Sequence, residues 1–160
     1  MIRTGLGVDA HGFTAGDGFM LGGVHIPHDK SIAGHSDGDV VLHAIVDALL
    51  GAVARGDIGT HFPSSDPQWR GASSRIFLQR AREIVAEANG EICHVDCTVI
   101  LQEPAIGPYI PDMRRLIADD LAVELDQVSI KATTTDHLGF IGRGEGIAAI
   151  AVATVKVSGE

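Results

Sequence analysis

Asp9 and His11 stand two residues apart in "GVDAHGF", a stretch that reads as a β-strand with a glycine on either side. Alternate residues of a strand share a face, so a carboxylate and an imidazole are presented to one point above the sheet. A third ligand would complete a metal site, and the candidates are His35 and His43, the second among apolar neighbours on an expected helix. Two imidazoles and one carboxylate with a vacant fourth position form the ligand set of a catalytic zinc, whereas structural zinc is usually closed by cysteines. Asp47 follows His43 by four residues, a spacing that lets a carboxylate hold the imidazole from behind. Any one of these histidines alone also reads as a surface or capping residue, so only their convergence would make a site.

Other chemistries fit less well. Gly5-x-Gly7-x-x-Ala10 matches the dinucleotide-binding string, but it lies inside the first strand and puts Asp9 where a pyrophosphate would approach. The phosphate-binding loop G-x-x-x-x-G-K-[ST] is absent from the sequence. The 160 residues carry 21 acidic and 12 basic side chains, a net charge of -9, which disfavours nucleic acid and anionic membrane as partners. An anionic ligand would need neutralising by something other than Lys and Arg. No apolar run approaches the ~20 residues of a membrane span and "MIRTGLGVDA" lacks a signal-peptide core, so a cytoplasmic protein is expected. Cys93 and Cys97 share the apolar run "ICHVDCTVIL" outside any C-x-x-C pair and are expected to be buried, reduced thiols.

The elements that must position these groups follow from periodicity. Hydrophobic residues make up 45% and aromatics 4%, so Val, Ile, Leu and Ala must fill the core. "RTGLGVDAHGF" and "FMLGGVHIP" read as two strands joined into a hairpin by "TAGDG". Apolar residues at 42, 45, 46, 49 and 53 predict an amphipathic helix capped by Ser36 or Asp37 and stopped by Gly56. "DIGTHFPSSDPQWRGA" has no period and reads as a long functional loop, with Trp69 either capping it or, the plainer reading, packing. A second helix is expected over 73–89 and a third over "DMRRLIADDLAVEL" with Pro111 at its start. "EICHVDCTVILQ", "QVSIKATTT" and "IAAIAVATVKV" read as strands, the last apolar on both faces. The order predicts one layered α+β domain over residues 1–160, with helices on one face of a mixed four-stranded sheet plus a small hairpin. There are helices for only one face, which points to an oligomer.

Taken as an ordered set, "DAH" at 9–11, "AGHSDGDVVLHAIVDALLGA" at 33–52, "GDIGTHFPSSD" at 56–66, "QEPAIGPYIPDM" at 102–113 and "IKATTTDHLGFIGRGEGIA" at 130–148 closely resemble the 2-C-methyl-D-erythritol 2,4-cyclodiphosphate synthase family. The resemblance covers nearly the whole chain. It implies a homotrimeric, cytoplasmic lyase of the isoprenoid-precursor pathway that converts 4-diphosphocytidyl-2-C-methyl-D-erythritol 2-phosphate into the cyclic diphosphate and CMP. It also implies three sheets facing one another around a three-fold axis, with active sites between subunits.

Carried over by position, the resemblance puts a zinc ion on Asp9, His11 and His43, with Asp9 and His11 also beside the substrate. His35 and Thr134 take the places of phosphate orientation and transition-state stabilisation, with Ser36 next to the first. Asp57, Ile58, Gly59, Phe62, Pro63, Ser64, Ser65 and Asp66 match the loop over the methylerythritol part. Leu101, Gln102, Glu103, Pro104, Ala105, Ile106 and Gly107 match a cytosine pocket supplied by the neighbouring subunit. Thr133, Thr134, Thr135 and Asp136 lie by the diphosphate, with Asp136 as ligand of a second ion, magnesium or manganese. Phe140 and Arg143 fall where some relatives take an isoprenoid diphosphate on the axis; the plainer role is an Arg143–Glu145 pair across subunits. Asp136 stands where the family often has the longer glutamate, and Ala105 where it often has lysine. Two other readings are a zinc-dependent phosphohydrolase and a non-catalytic, trimeric isoprenoid-diphosphate sensor.

Overall fold

In the computed structural model, which describes residues 1–159, the first fourteen-residue strand β1 (Ile2–Ala15) alternates as the period-two pattern requires. Gly5 and Gly7 are buried and Asp9 and His11 half-buried on one face, while Leu6 and Val8 are exposed on the other. β1 runs antiparallel to the closing strand β7 (Gly146–Val157), from Ile2 opposite Lys156 to Gly12 opposite Gly146. Beyond β7 lie β5 (Gly90–Ile100) and β6 (Val128–Thr133), and only the β5–β6 pair is parallel, so the sheet is mixed.

The expected hairpin is displaced. "FMLGGVHIP" is not one strand paired with β1; it folds on itself as β2 (Gly18–Leu21) and β3 (Val24–Pro27). The turn is Gly22-Gly23, with φ of 58° and 80°, the two positive values that a tight primed hairpin turn demands and that glycine adopts without strain. The end of β1 pairs instead with β4 (Lys30–Ile32), which extends the four long strands to a five-stranded sheet ordered β4-β1-β7-β5-β6.

Helix α1 (Val40–Ala52) begins later than expected. Its cap is Asp39, not Ser36 or Asp37, because only the Asp39 carboxylate reaches the Leu42 amide, at 3.1 Å. Asp39 is fully buried and also accepts from the amides of Gly22 and Gly23 at 2.9 and 2.8 Å, tying the hairpin turn to the helix start. Burial pushes its carboxyl pKa up against the pull of those amides. The helix ends at Val53 and a left-handed Ala54, ahead of Gly56. It is not half-solvated: everything except His43, Asp47 and Gly51 is buried, because both the sheet and the second long helix pack against it. Those three exceptions recur every four residues and form one stripe along the helix.

The helix sits on β1 at backbone contact. A Cβ built on Gly5 would lie 1.8 Å from the Ala48 carbonyl oxygen, and one on Gly7 would lie 1.9 Å from that of Ala44. The glycines that mimic a dinucleotide fingerprint are there for close helix packing.

The second long helix, α3 (Ser74–Glu87), follows a short α2 (Ile58–His61), is capped by Ser73 and ends at left-handed Asn89, close to expectation. α4 (Ile110–Leu121) carries Pro111 in its first turn and stops at left-handed Ala122, short of the anticipated end. The segment read as irregular from 57 to 70 holds α2 and a 3₁₀ turn at Pro67–Trp69, capped by the side chains of Asp57 and Asp66. A last short helix, α5 (Gly139–Gly142), precedes β7. A bulge at Cys93 breaks the alternation of β5, so Cys97 is buried, its thiol pKa pushed up to about 12 by burial, while Cys93 is only half-buried. All three long helices cover one face of the sheet; on the other, Leu6 pairs with Val152 and Val8 with Ile150, and each of the four is at least 38% exposed.

Gly7→Ala should destabilise the fold by about 3 kcal/mol or more, because the methyl overlaps backbone that cannot rotate away. Urea denaturation checks this; a variant as stable as the parent would show that helix and strand are not locked together.

Candidate metal centre and active site

β1 and α1 place three ligand-type side chains at one point. Asp9 Oδ2 lies 3.0 Å from His11 Nε2 and 3.1 Å from His43 Nδ1, and one ligand atom from each residue falls within 4.8 Å of the others. His35, the other candidate third ligand, is not in the cluster; its Nε2 donates to the Asp66 carbonyl at 3.1 Å. His11 Nε2 is buried and, despite its closeness to the carboxylate, makes no aligned hydrogen bond. A buried ring nitrogen without a proton partner, facing a carboxylate and a second imidazole, fits a cation bound between them.

The carboxylate also responds to its company. Burial alone would raise the Asp9 pKa; contacts with His11 and His43 outweigh it and bring the value down to about 2. Contact with Asp9 in turn raises the pKa of His11 above its ordinary value against the effect of burial.

The outer edge of His43 is held by serines. Its Nε2 lies 2.8 Å from Ser74 Oγ and 3.2 Å from Ser36 Oγ. Asp47 does not take this role: its Oδ1 accepts from the Ile58 amide at 2.7 Å, fastening the start of the 57–70 segment to α1. The spacing of four put both side chains on one stripe, as expected, but the loop amide supplies the nearer donor. Burial raises the Asp47 pKa, and the Ile58 amide draws it back.

Beside the triad is a cavity of about 250 Å³ lined by His11, His35, Ser36, His43, Ile58, Gly59, Phe62, Ser64, Trp69 and Phe77. Its apolar wall is an aromatic cluster in which Phe62 lies 4.5 Å from Phe77 and 5.3 Å from Trp69 between ring centres. Two further bonds close the wall: Gly71 N–H donates to the His35 carbonyl at 2.7 Å, and Asp37 N–H to that of Ala72 at 3.1 Å. Trp69 packs there, as its plainer reading had it.

The remaining expected site residues lie in other places. Asp57 is exposed and caps α2, Asp66 caps the 3₁₀ turn, Pro63 is half-buried, and Ser65 lines an adjoining groove with Arg70 and Gly71; none of the four lines the cavity. Leu101, Gln102, Glu103, Pro104, Ala105, Ile106 and Gly107 follow β5, Thr133 ends β6 and Thr134, Thr135 and Asp136 follow it; the two segments meet where the Leu101 amide bonds the Thr133 carbonyl at 3.0 Å. Asp136 and His137 are both left-handed, the second with its amide on Gln102 Oε1 at 3.0 Å. None of these residues lines the triad's cavity within one chain. Arg143 pairs with Glu145 of its own chain at 3.0 Å and lines a separate cleft with Phe13, Lys30, Gln102 and Glu103; Phe140 is exposed on α5.

The YgbB family model matches residues 2–156. The chain belongs to the YgbB family. Curated relatives include two named bifunctional enzyme IspD/IspF: one from Rhizorhabdus wittichii, 59% identical over 97% of this chain, and one from Brucella abortus, 57% identical over 99%. The chain spans only 41% of the length of each. Among solved structures, bifunctional IspDF from Campylobacter jejuni superposes with a TM-score of 0.94 at 37% identity, over 99% of this chain and 43% of that one. IspF from Plasmodium falciparum in complex with CDP superposes with a TM-score of 0.86 at 35% identity, over 99% and 97%. No described helix of this YgbB-family chain is long and apolar enough to cross a membrane.

Sequence reasoning missed Ser74 and Phe77, the first a buried polar residue and the second a pocket wall. Both sit at the start of α3, where helical spacing alone reads as cap and core.

Asp47→Ala should cost about 1–2 kcal/mol through the orphaned Ile58 amide yet leave zinc affinity unchanged. Thermal melts and a chelator-competition titration separate the two effects; weakened zinc would return Asp47 to the role of holding His43.

Proposed function

We propose that the chain is a 2-C-methyl-D-erythritol 2,4-cyclodiphosphate synthase unit, cyclising 4-diphosphocytidyl-2-C-methyl-D-erythritol 2-phosphate with release of CMP in the cytoplasm. The observation that carries this reading is the convergence of Asp9 Oδ2, His11 Nε2 and His43 Nδ1 beside a cavity of about 250 Å³. The CDP-bound relative of similar length supports a cytidine diphosphate ligand.

In the reaction an oxygen of the 2-phosphate attacks the β-phosphorus, the bond from that phosphorus to the bridging oxygen breaks, and CMP leaves with the oxygen. Both partners are anions: two double charges about 4 Å apart repel by about 16 kcal/mol at an effective dielectric near 20. Zinc held by Asp9, His11 and His43, with magnesium or manganese held by Asp136, would supply the Lewis acidity and positive charge that offset this. The attacking phosphate is already largely ionised near neutral pH, so the chain need supply no general base. Its own groups position and desolvate. His35 and Thr134 orient the phosphates, with Ser36 beside them. The wall of Phe62, Trp69 and Phe77 keeps water from the reacting centre, and the segment fastened by Asp47 covers the methylerythritol part. Holding the two ends near in-line geometry removes most of the entropic cost of closing the ring.

The single chain separates the triad from the 101–107 and 133–136 segments, and it leaves Leu6, Val8, Ile150 and Val152 exposed on the bare sheet face. A homotrimer answers both: bare faces meet around a three-fold axis, and a neighbouring copy brings the cytosine and diphosphate segments to each triad. An isoprenoid diphosphate on that axis would be met by Phe140 and by Arg143, in competition with the Glu145 that Arg143 already pairs with. The acidic composition is consistent with carboxylates that hold metals, which in turn meet the substrate.

Incubation of the purified protein with the diphosphocytidyl substrate, zinc and magnesium should yield the cyclic diphosphate and CMP in equal amounts. A linear phosphate with inorganic phosphate would make it a phosphohydrolase, and axial ligand binding without turnover a sensor. His43→Ala should lose zinc retention and turnover while keeping the circular-dichroism spectrum of the parent. Asp136→Ala should raise the magnesium needed for half-maximal rate; an unchanged magnesium titration would remove Asp136 from that role.

A further inference from the structure

We propose that Ser74 and Asp37 are positioning residues of the metal centre: they place the ring proton of His43 on Nε2, so that the Nδ1 lone pair faces Asp9 and His11. The proposal rests on the reading of the triad as a metal site.

The direction of one hydroxyl proton sets where the His43 ring carries its hydrogen. Asp37 meets three donors, accepting at Oδ1 from the Asp39 amide at 3.2 Å and from the Ser74 hydroxyl, and at Oδ2 from the Ser74 amide at 3.0 Å. A carboxylate offers no hydrogen, so the single hydroxyl proton of Ser74 is directed at Asp37. Ser74 Oγ can then only accept from His43, 2.8 Å away, and Nε2 must carry the hydrogen. With a cation bound by Asp9, Nδ1 is the bare nitrogen that faces it, 3.1 Å from Asp9 Oδ2; without one, that contact with a carboxylate takes a hydrogen between the two atoms, which does not displace the hydrogen on Nε2. Ser36 Oγ, at 3.2 Å, is the more distant acceptor and already receives the Gly38 amide at 3.4 Å.

Ser74 is not needed by its helix for this contact. Ser73 is the cap of α3, with its side chain accepting from the Arg75 amide. Yet Ser74 is completely buried, and few polar side chains in the described core share that status. A buried hydroxyl linking a ligand-type histidine to a carboxylate is the arrangement by which outer groups fix tautomer and ring orientation at metal centres.

The test begins with the metal-free wild-type protein, in which long-range proton–nitrogen correlation of labelled histidines, assigned with His43→Gln, should report a hydrogen on His43 Nε2. Ser74→Ala should shift that ring toward a tautomer mixture and weaken zinc by about 10- to 100-fold in chelator competition. Asp37→Asn replaces one acceptor oxygen by an amine donor, conflicting either with the Ser74 amide or with its hydroxyl, and should weaken zinc similarly. Circular dichroism checks that the variants stay folded, and the wild-type tautomer needs no variant to be informative. An Nδ1–H tautomer in the wild type, or Ser74→Ala with parental zinc affinity, would overturn the proposal. Absence of zinc binding by the wild type would overturn the metal reading and the proposal with it. That failure is distinguishable because the tautomer is measured without metal.

Discussion

The contact of α1 with β1 is the constraint on which everything else depends. The Ala44 and Ala48 carbonyls occupy the space that side chains at Gly7 and Gly5 would fill. At such a separation, backbone meets backbone and the register between helix and strand has no freedom to slide. The ligands adjoin this contact in sequence: His43 precedes Ala44, and Asp9 follows Gly7 by two residues. Locking Gly7 under Ala44 therefore brings the His43 ring to the Asp9 carboxylate. A larger residue at either glycine would lift the helix and part the ligands.

Around that contact the polar groups are satisfied in layers. Asp39 caps α1 and fastens the β2–β3 turn, Asp47 fastens the segment over the cavity, and Asp37 ties the 34–38 loop to the start of α3. Three carboxylates near a helix of almost wholly apolar composition thus hold backbone amides, which is how Asp39 is fully buried without a basic partner, whereas the other buried acid, Asp120, pairs with Arg75 at 2.8 Å. The carboxylate that is left over, Asp9, is the one that faces imidazoles and the cavity, and its low pKa follows from them.

Several features were illegible locally. "FMLGGVHIP" contains a tight Gly-Gly turn inside an apolar run, and the run's continuity hid a hairpin whose strands are four residues each. Cys93 and Cys97 have the same parity, and only a bulge puts them in different environments. Asp47 sits at helical spacing from His43, yet spacing ranks faces and does not rank competing donors; the Ile58 amide won.

The sequence alone determined the types of the long elements, the α+β class and the sharing of one strand face by Asp9 and His11, because period-two and helical repeats are local properties of the chain, whereas one-turn helices and the three-residue β4 are too short to show a period. It also carried the family resemblance, and it left one face of the sheet in want of cover. Spacing left His35 and His43 open and only the resemblance chose His43; tertiary structure gave that choice its physical ground, because it depends on where a helix lands on a strand more than 30 residues away. It likewise found Ser74, 31 residues from His43 in sequence, and reassigned Asp47. Hydrogen bonds across such separations leave no periodic trace, since they are set by the packing of whole elements and not by the spacing within one.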